Sequence, residues 1–346
     1  MRAARLTGWR AALEIGTVPE PDCPRDGVVL EVLACGICRS DWHVWTGADP
    51  VALPHVPGHE YCGIVVAAGP EVRGWRVGDR VIAPFILACG GCGDCRAGNQ
   101  TICASQVLPG FTCDGAFAER VAVAHADANL TRLPEGMDPA LAAALGCRVT
   151  TAWHALTGRA ALKPGEWLGI WGGGGVGMAA LMLGRAMGAR VALADVVVEK
   201  LDQARALGAE AVIDASDAQA ADAMREATGG GVHVAVEALG LPVTTANALG
   251  SLRKLGRMVQ VGMPAGDHAR MTLPWDAVYG GQLAVYGTRG MPAHRYPSLL
   301  DFLAATRLDL APMIARRVAL SDASAELARF DAPAPPGIAV ITDFAA

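Results

Sequence analysis

The chain has 346 residues, enough for two domains with separate apolar cores. Hydrophobic residues make up 52%, charged residues 18%, and there are 42 glycines, which excludes a disordered chain and fits a loop-rich α/β protein. A net charge of −5 argues against nucleic acid, which favours basic surfaces, and no charge run marks a membrane-binding face.

The opening residues, MRAARLTGWRAALEIGTVPEP, are basic but hold no apolar run and no small-residue cleavage site, so they do not read as a signal peptide. No stretch of about 18 apolar residues is present to span a bilayer. The nearest, around 176–198, is cut by Gly, Arg and Asp. The expected compartment is the cytoplasm, where disulfides are disfavoured and clustered cysteines point to metal binding or catalysis. From residue 1 to about 147, the runs DGVVLEVLACGIC, EYCGIVVAAG, GDRVIAP and AFAERVAVA read as strands bounded by Gly, Pro and Asp. They predict a barrel-like β domain with a cysteine loop, 88–104, inserted in it. From about 149 the rhythm changes to strand–helix alternation with six strands, beginning with EWLGIWG and a helix carrying Val176, Ala179, Ala180, Leu183 and Met187 at helical spacing. That pattern predicts a parallel, doubly wound sheet over 149–287. The remaining stretch, 288–346, is too short for a domain and is expected to return to the first, giving 1–148 plus 288–346 around an inserted α/β unit.

The run WGGGGVG places Gly172, Gly174 and Gly177 in a G-x-G-x-x-G register, with Gly175 and Val176 between. An apolar strand precedes it, a helix follows, and Asp195 closes the next strand 23 residues after Gly172. The first glycine makes the tight turn, the second lets the backbone approach a pyrophosphate, and the third lets helix and strand pack closely. The helix start then offers N–H groups to the phosphates. Asp195 would accept hydrogen bonds from ribose hydroxyls and repel a 2′-phosphate. No Arg follows it, so NAD is expected over NADP.

Four of the ten cysteines, Cys89, Cys92, Cys95 and Cys103, follow a C-x2-C-x2-C-x7-C spacing. Four thiolates on one short, glycine-rich loop can surround one tetrahedral ion and leave no open position, as in a structural zinc site. A redox C-x-x-C pair and an iron–sulfur cluster are the rival readings. Elsewhere, Cys38 in CGICRSDWH and His59 in PGHEYCG are each ambiguous alone, and Cys35 with Cys38 makes another C-x-x-C.

Taken in order, CGICRSDWH, PGHE, GDRV, the four-cysteine loop, LGCRVTTAWHAL and GGGGVG followed by Asp195 resemble the medium-chain, zinc-dependent alcohol dehydrogenases. The resemblance implies a GroES-like β-barrel catalytic domain and a Rossmann domain, two zinc ions per chain, and NAD(H) as cofactor. It implies that Cys38, His59 and Cys147 hold the catalytic zinc, a three-ligand set with one position open. Cys23, Cys35, Cys62 and Cys113 are then incidental. Zinc would acidify the substrate alcohol, and hydride would pass between the resulting alkoxide and nicotinamide. Ser40 and His43 match proton-relay positions, Asp41 matches the carboxylate that orients His59, and Glu60 stands beside the zinc in a supporting role. Arg39 matches a pyrophosphate contact, Thr151 and Val176 face the nicotinamide, and Lys200 matches a ribose contact. Trp45 and Phe85, with Ser40, match the substrate-pocket wall, and suit apolar alcohols, including bulkier or secondary ones. One departure is plain: Ile338 and Ala339 stand where many members carry an Arg that reaches the pyrophosphate, and Arg289 is the candidate to replace it. The shorter bacterial members are usually tetramers, so a homo-tetramer is expected, with a dimer as the alternative. A polyol or threonine dehydrogenase of the same family is the nearest alternative function. A zinc-free quinone or enoyl reductase would lack the cysteine sets and favour NADPH, and a non-catalytic regulator would bind zinc and NAD without turnover.

Overall fold

Val28–Ile37 is apolar along nearly its whole length and buried at eight of ten positions, which makes it the middle strand of a sheet rather than an edge. It pairs antiparallel with Glu60–Ala68 on one side and with Ile338–Asp343 on the other, and Arg120–Val123 also pairs with it. The register sets Gly36 opposite Glu60 and Ile37 opposite Ala339. The sheet runs on through Arg80–Ile82 and Thr131–Arg132 at one end and Ile314–Ala319 at the other. This is a computed structural model, and it describes residues 1–332 and 336–346.

The strands just named lie in the first of two compact units, Met1–Thr150 with Gly290–Phe302 and Ile314–Ala346. Its core gathers Leu30, Ile37, Tyr61, Leu87 and Phe117, all buried, under the sheet. The second unit is Thr151–Arg289 with Leu303–Met313. That last piece clusters with the second unit, although the rest of the C-terminal stretch belongs to the first.

In the second unit, among the described residues, six parallel strands form one sheet. They are Trp167–Trp171, Arg190–Asp195, Ala211–Asp214, Val232–Glu237, Leu252–Gln260 and Ala284–Gly287. Counted along the unit, their spatial order is 3-2-1-4-5-6, the order of a doubly wound dinucleotide fold. Trp167–Trp171 is buried at every position because helices cover both faces of a parallel sheet. The expected α/β class, a GroES-like β domain plus a doubly wound parallel sheet, is the class observed. Among the described residues, no helix is long and apolar enough to cross a membrane.

Candidate metal centres and dinucleotide turn

Cys38 caps the helix Arg39–Thr46, and Asp41, at its third position, accepts a hydrogen bond from the Cys38 backbone N–H at 2.8 Å. The same carboxylate accepts from the Gly58 N–H at 3.1 Å and contacts His59 Nδ1 at 2.9 Å. Asp41 is wholly buried, so one side chain ties the helix start to the PGHE turn. Gly58 has φ +103, and a Cβ there would meet the backbone N of Phe117 at 2.6 Å; only glycine suits this turn.

With Nδ1 held by Asp41, the His59 ring directs Nε2 inward, where it is buried and without a hydrogen-bond partner among the described residues. The ligand atoms of Cys38, His59, Glu60 and Cys147 all lie within 4.8 Å of one another, and all four residues are buried. An orphaned imidazole nitrogen beside two buried thiols is the donor set of a zinc site, so the residues fit the implied metal.

The electrostatics agree. Cys147 hydrogen-bonds Cys38 and holds its thiol well below the ordinary range, helped by Arg148 and His59; the same contact, with burial, holds Cys147 well above. Burial pulls His59 down, but the Asp41 carboxylate outweighs it, and the net shift is well upward. Burial pushes Glu60 up to about 8 against the opposing pull of Arg148. Arg148 Nη1 lies 3.1 Å from Glu60 Oε2 as an ion pair, and its Nη2 donates to the Ile37 carbonyl. Gly36 makes room for this carboxylate: a Cβ there would meet Glu60 Oε2 at 2.3 Å.

The second cluster is local. Cys92 Sγ lies 3.4 Å from Cys95 Sγ and 3.9 Å from Cys103 Sγ, and Cys89 Sγ lies 4.0 Å from Cys95 Sγ. Sulfurs about 2.3 Å from a shared tetrahedral centre stand about 3.8 Å apart, whereas a disulfide needs about 2.05 Å. The spacing fits one ion and no disulfide, and all ten cysteines are free. Backbone N–H groups of Gly91 and Cys92 draw the Cys89 thiol down to about 6, which favours the thiolate that a metal needs.

In the second unit Gly172 has φ +108, and a Cβ on Gly177 would meet the Gly172 carbonyl oxygen at 1.9 Å. Gly174, by contrast, faces open space, with nothing within 4 Å of a Cβ. This is the geometry expected of the turn, close-packing and close-approach glycines of a dinucleotide loop, and it leads into the helix Gly175–Ala186. Asp195 Oδ2 accepts from the Gly173 N–H at 2.7 Å and lies 3.5 Å from Lys200 Nζ, while Oδ1 accepts from the Val197 N–H at 2.9 Å. Asp195 thus steadies the loop itself, and its oxygens keep spare lone pairs for a further donor.

Comparison with known proteins agrees with this geometry. Residues 24–135 match the alcohol dehydrogenase GroES-like domain, and 175–305 match the zinc-binding dehydrogenase family. An alcohol dehydrogenase of Geobacillus stearothermophilus is 36% identical over 84% of this chain and 85% of its own. The chain belongs to the zinc-dependent alcohol dehydrogenase family. An L-threonine 3-dehydrogenase of Streptomyces coelicolor is 34% identical over 100% of both chains. The solved alcohol dehydrogenase of Thermus sp. ATN1 superposes with a TM-score of 0.92 at 27% identity, over 99% of this chain and 100% of its own.

Within this family frame, the remaining candidates fall in distinct places. Ser40 Oγ lies 3.9 Å from Cys38 Sγ. His43 is half-buried, its Nδ1 has no hydrogen-bond partner among the described residues, and burial followed by Arg39 lowers its pKa. Phe85 packs with Cys147, and its ring centroid is 5.7 Å from that of His59. Trp45 belongs to a different cluster, the core of the first unit, with its indole N–H donating to the Ala11 carbonyl at 2.7 Å. It shares the buried face of its helix with Asp41 and Val44. Arg39 lies over the rings of Trp42 and Phe330, at 5.0 and 5.2 Å, and donates to the Phe330 carbonyl. Ile338 and Ala339 are buried strand residues, so their side chains fill the core. Thr151 is buried, Val176 half-buried, and Arg289 exposed. Sequence reading missed Leu108 and Phe111, which pack beside Cys147; the Phe111 ring centroid stands 5.0 Å from that of His59. It also missed Arg148, whose only sequence signal is its place next to Cys147.

Proposed function

We propose that the chain is an NAD-linked alcohol dehydrogenase holding two zinc ions, one in the Cys38, His59 and Cys147 site and one in the four-cysteine loop. The observation that carries this reading is the buried Cys38/His59/Glu60/Cys147 cluster, with His59 Nε2 orphaned and turned into it. Bound there, zinc supplies Lewis acidity to the oxygen of an alcohol or carbonyl substrate. Asp41 fixes the His59 tautomer and ring direction. Ser40 takes the alcohol proton, and His43, kept neutral near pH 7 by its lowered pKa, receives it and returns it to solvent. The Gly172–Gly177 turn and the helix start bind the pyrophosphate, with Thr151 and Val176 at the nicotinamide, Lys200 at the ribose and Arg289 as a further phosphate partner. Arg39 stays a candidate cofactor contact on the family match alone. Asp195 selects NAD, because its carboxylate would repel a 2′-phosphate.

Phe85, Leu108 and Phe111 around Cys147 favour alcohols with an apolar body. A threonine or polyol substrate is the second reading, supported by the full-length likeness to the Streptomyces relative. A homo-tetramer is the expected assembly. Trp275 and Tyr279 are 64% and 88% exposed, and Ala284–Gly287 ends its sheet, so subunit contact would cover apolar side chains and an open strand edge.

One experiment tests the core of this reading. Metal analysis should return two zincs per chain, and a panel of apolar alcohols, threonine and sorbitol should be oxidised with NAD, with the apolar alcohols preferred and NADP a poor substitute. One zinc, or turnover with NADP alone, would sink it.

A further inference from the structure

The buried cluster contains one donor too many for a catalytic site. Three ligands leave a position open for substrate, whereas four close the shell. The Glu60 carboxylate lies within 4.8 Å of the ligand atoms of Cys38, His59 and Cys147. Its Oε1 is buried with no hydrogen-bond partner among the described residues. A small rotation of its side chain would suffice for a carboxylate oxygen to bind the ion in place of substrate, since sulfur and nitrogen ligands of one ion already stand about 3.5 Å apart.

Arg148 opposes that rotation. It is buried, follows Cys147 directly, and is held at two points: Nη2 donates to the Ile37 carbonyl, and Nη1 lies 3.1 Å from Glu60 Oε2. Ile37 itself is fixed in the sheet by its pairing with Ala339. The guanidinium is therefore a cation fastened to the backbone, on one side of the carboxylate. Gly36, opposite Glu60 in the register, leaves the carboxylate space to lie against it.

We propose that Arg148 is a positioning residue that holds Glu60 back from the Cys38/His59/Cys147 metal and so keeps the fourth position free for substrate. The inference rests on the metal-site reading above. Once Arg148 is removed, Glu60 gains a cation only by turning to the metal, and the apparent affinity of any other fourth ligand falls by the fraction of time the position is filled.

Cobalt(II) in place of zinc reports this without turnover, because its visible absorption follows the ligands and their number. Imidazole serves as the exogenous fourth ligand. In the wild-type protein, imidazole should shift the catalytic-site spectrum. In Arg148→Met, the spectrum before imidazole should already differ, and imidazole affinity should fall about tenfold or more, as for a position filled nine-tenths of the time. In Arg148→Met/Glu60→Gln, imidazole binding should return to near the wild-type value. If Arg148→Met does not fold, the same comparison is made with Arg148→Lys and Arg148→Lys/Glu60→Gln, which keep a buried cation but not the two-point hold. Wild-type imidazole affinity in the single variants overturns the proposal, as does a folded double variant that fails to recover it. Loss of metal or fold in single and double variants alike makes Arg148 structural and also overturns it. A wild-type protein whose cobalt spectrum is insensitive to imidazole and to Cys147→Ser would instead count against the metal site itself.

Discussion

Asp41 joins a helix cap and the proposed metal ligand His59 in one carboxylate. It closes the capping box at Cys38 and receives His59 Nδ1, so its loss acts on both. Asp41→Asn keeps the shape and an acceptor but removes the charge. Zinc affinity at the Cys38 site should fall by about 10- to 100-fold, as for other partners of metal-bound histidines, and helix capping should weaken by about 1 kcal/mol. Competition against a chelator of known affinity measures the first, and thermal melting of the metal-loaded protein the second. The sign of the pH dependence follows from the same contact. His59 must be neutral to bind metal, and Asp41 raises its pKa well above 6.5. Zinc retention in the wild-type protein should therefore begin to fall as pH drops through a range starting above 6.5, and Asp41→Asn should move that threshold lower. His43 shifts the other way, so it stays neutral down to below pH 6.5. His43→Ala should slow turnover most at low pH, with partial recovery in imidazole buffer. A pH–rate profile that merely scales, with no change of shape, would dismiss the relay.

The dinucleotide turn separates two jobs that its glycines share in sequence. Gly177→Ala would drive a Cβ into the Gly172 carbonyl oxygen at 1.9 Å. The helix Gly175–Ala186 would have to lift from the turn, costing about 1–3 kcal/mol. Gly174→Ala meets nothing within 4 Å, so stability should hardly move while a methyl group blocks the approach of phosphate. Melting temperature and NAD affinity measured together should fall together in Gly177→Ala; in Gly174→Ala only affinity should fall. A stability loss in Gly174→Ala would show that the glycine serves the fold. Elements of this kind were readable from sequence, because turn, helix and following acid lie within some 25 residues. The four-cysteine loop was readable for the same reason. No local pattern joins Cys38, His59 and Cys147, which came together only through the family resemblance, since 21 and 88 residues separate them and strand pairing and the Asp41 bridge bring them together. Arg148 was less readable still: its meaning depends on Gly36 standing opposite Glu60. Trp45, a large apolar residue in a site-bearing helix, reads as pocket lining until the i, i+3, i+4 face formed by Asp41, Val44 and Trp45 is seen buried.

Across the molecule, the assignment of Leu303–Met313 to the second unit rests on packing that no local period records. The two cysteine sites differ in what they are coupled to. The loop is pinned to the body of the first unit by Ala88 and Asn129, whose backbone N–H and side-chain Oδ1 are 2.8 Å apart, and by Gln100, whose Oε1 contacts His294 Nδ1 at 3.0 Å. Two residues on, the Tyr296 hydroxyl donates to the Leu145 carbonyl at 2.9 Å, close in sequence to Cys147. The loop has only Ala88, Cys95 and Cys103 as a buried cluster of its own, so on the proposed reading a bound ion would supply its order. Cys95→Ser should therefore bring zinc to one per chain and lower stability by at least about 2 kcal/mol, or about 4–8 °C in melting temperature for a unit of this size. Turnover per zinc-loaded, folded chain should stay within a few-fold of wild type, the residual loss travelling through Gln100, His294 and Tyr296. Cys147→Ser should also leave one zinc, yet melt within a few degrees of wild type and turn over no alcohol. The two variants have the same metal count and opposite consequences, so metal analysis, calorimetry and kcat on the same preparations decide the matter. If Cys95→Ser abolishes turnover while melting normally, the loop zinc is the reactive one and the assignment of the two sites is reversed.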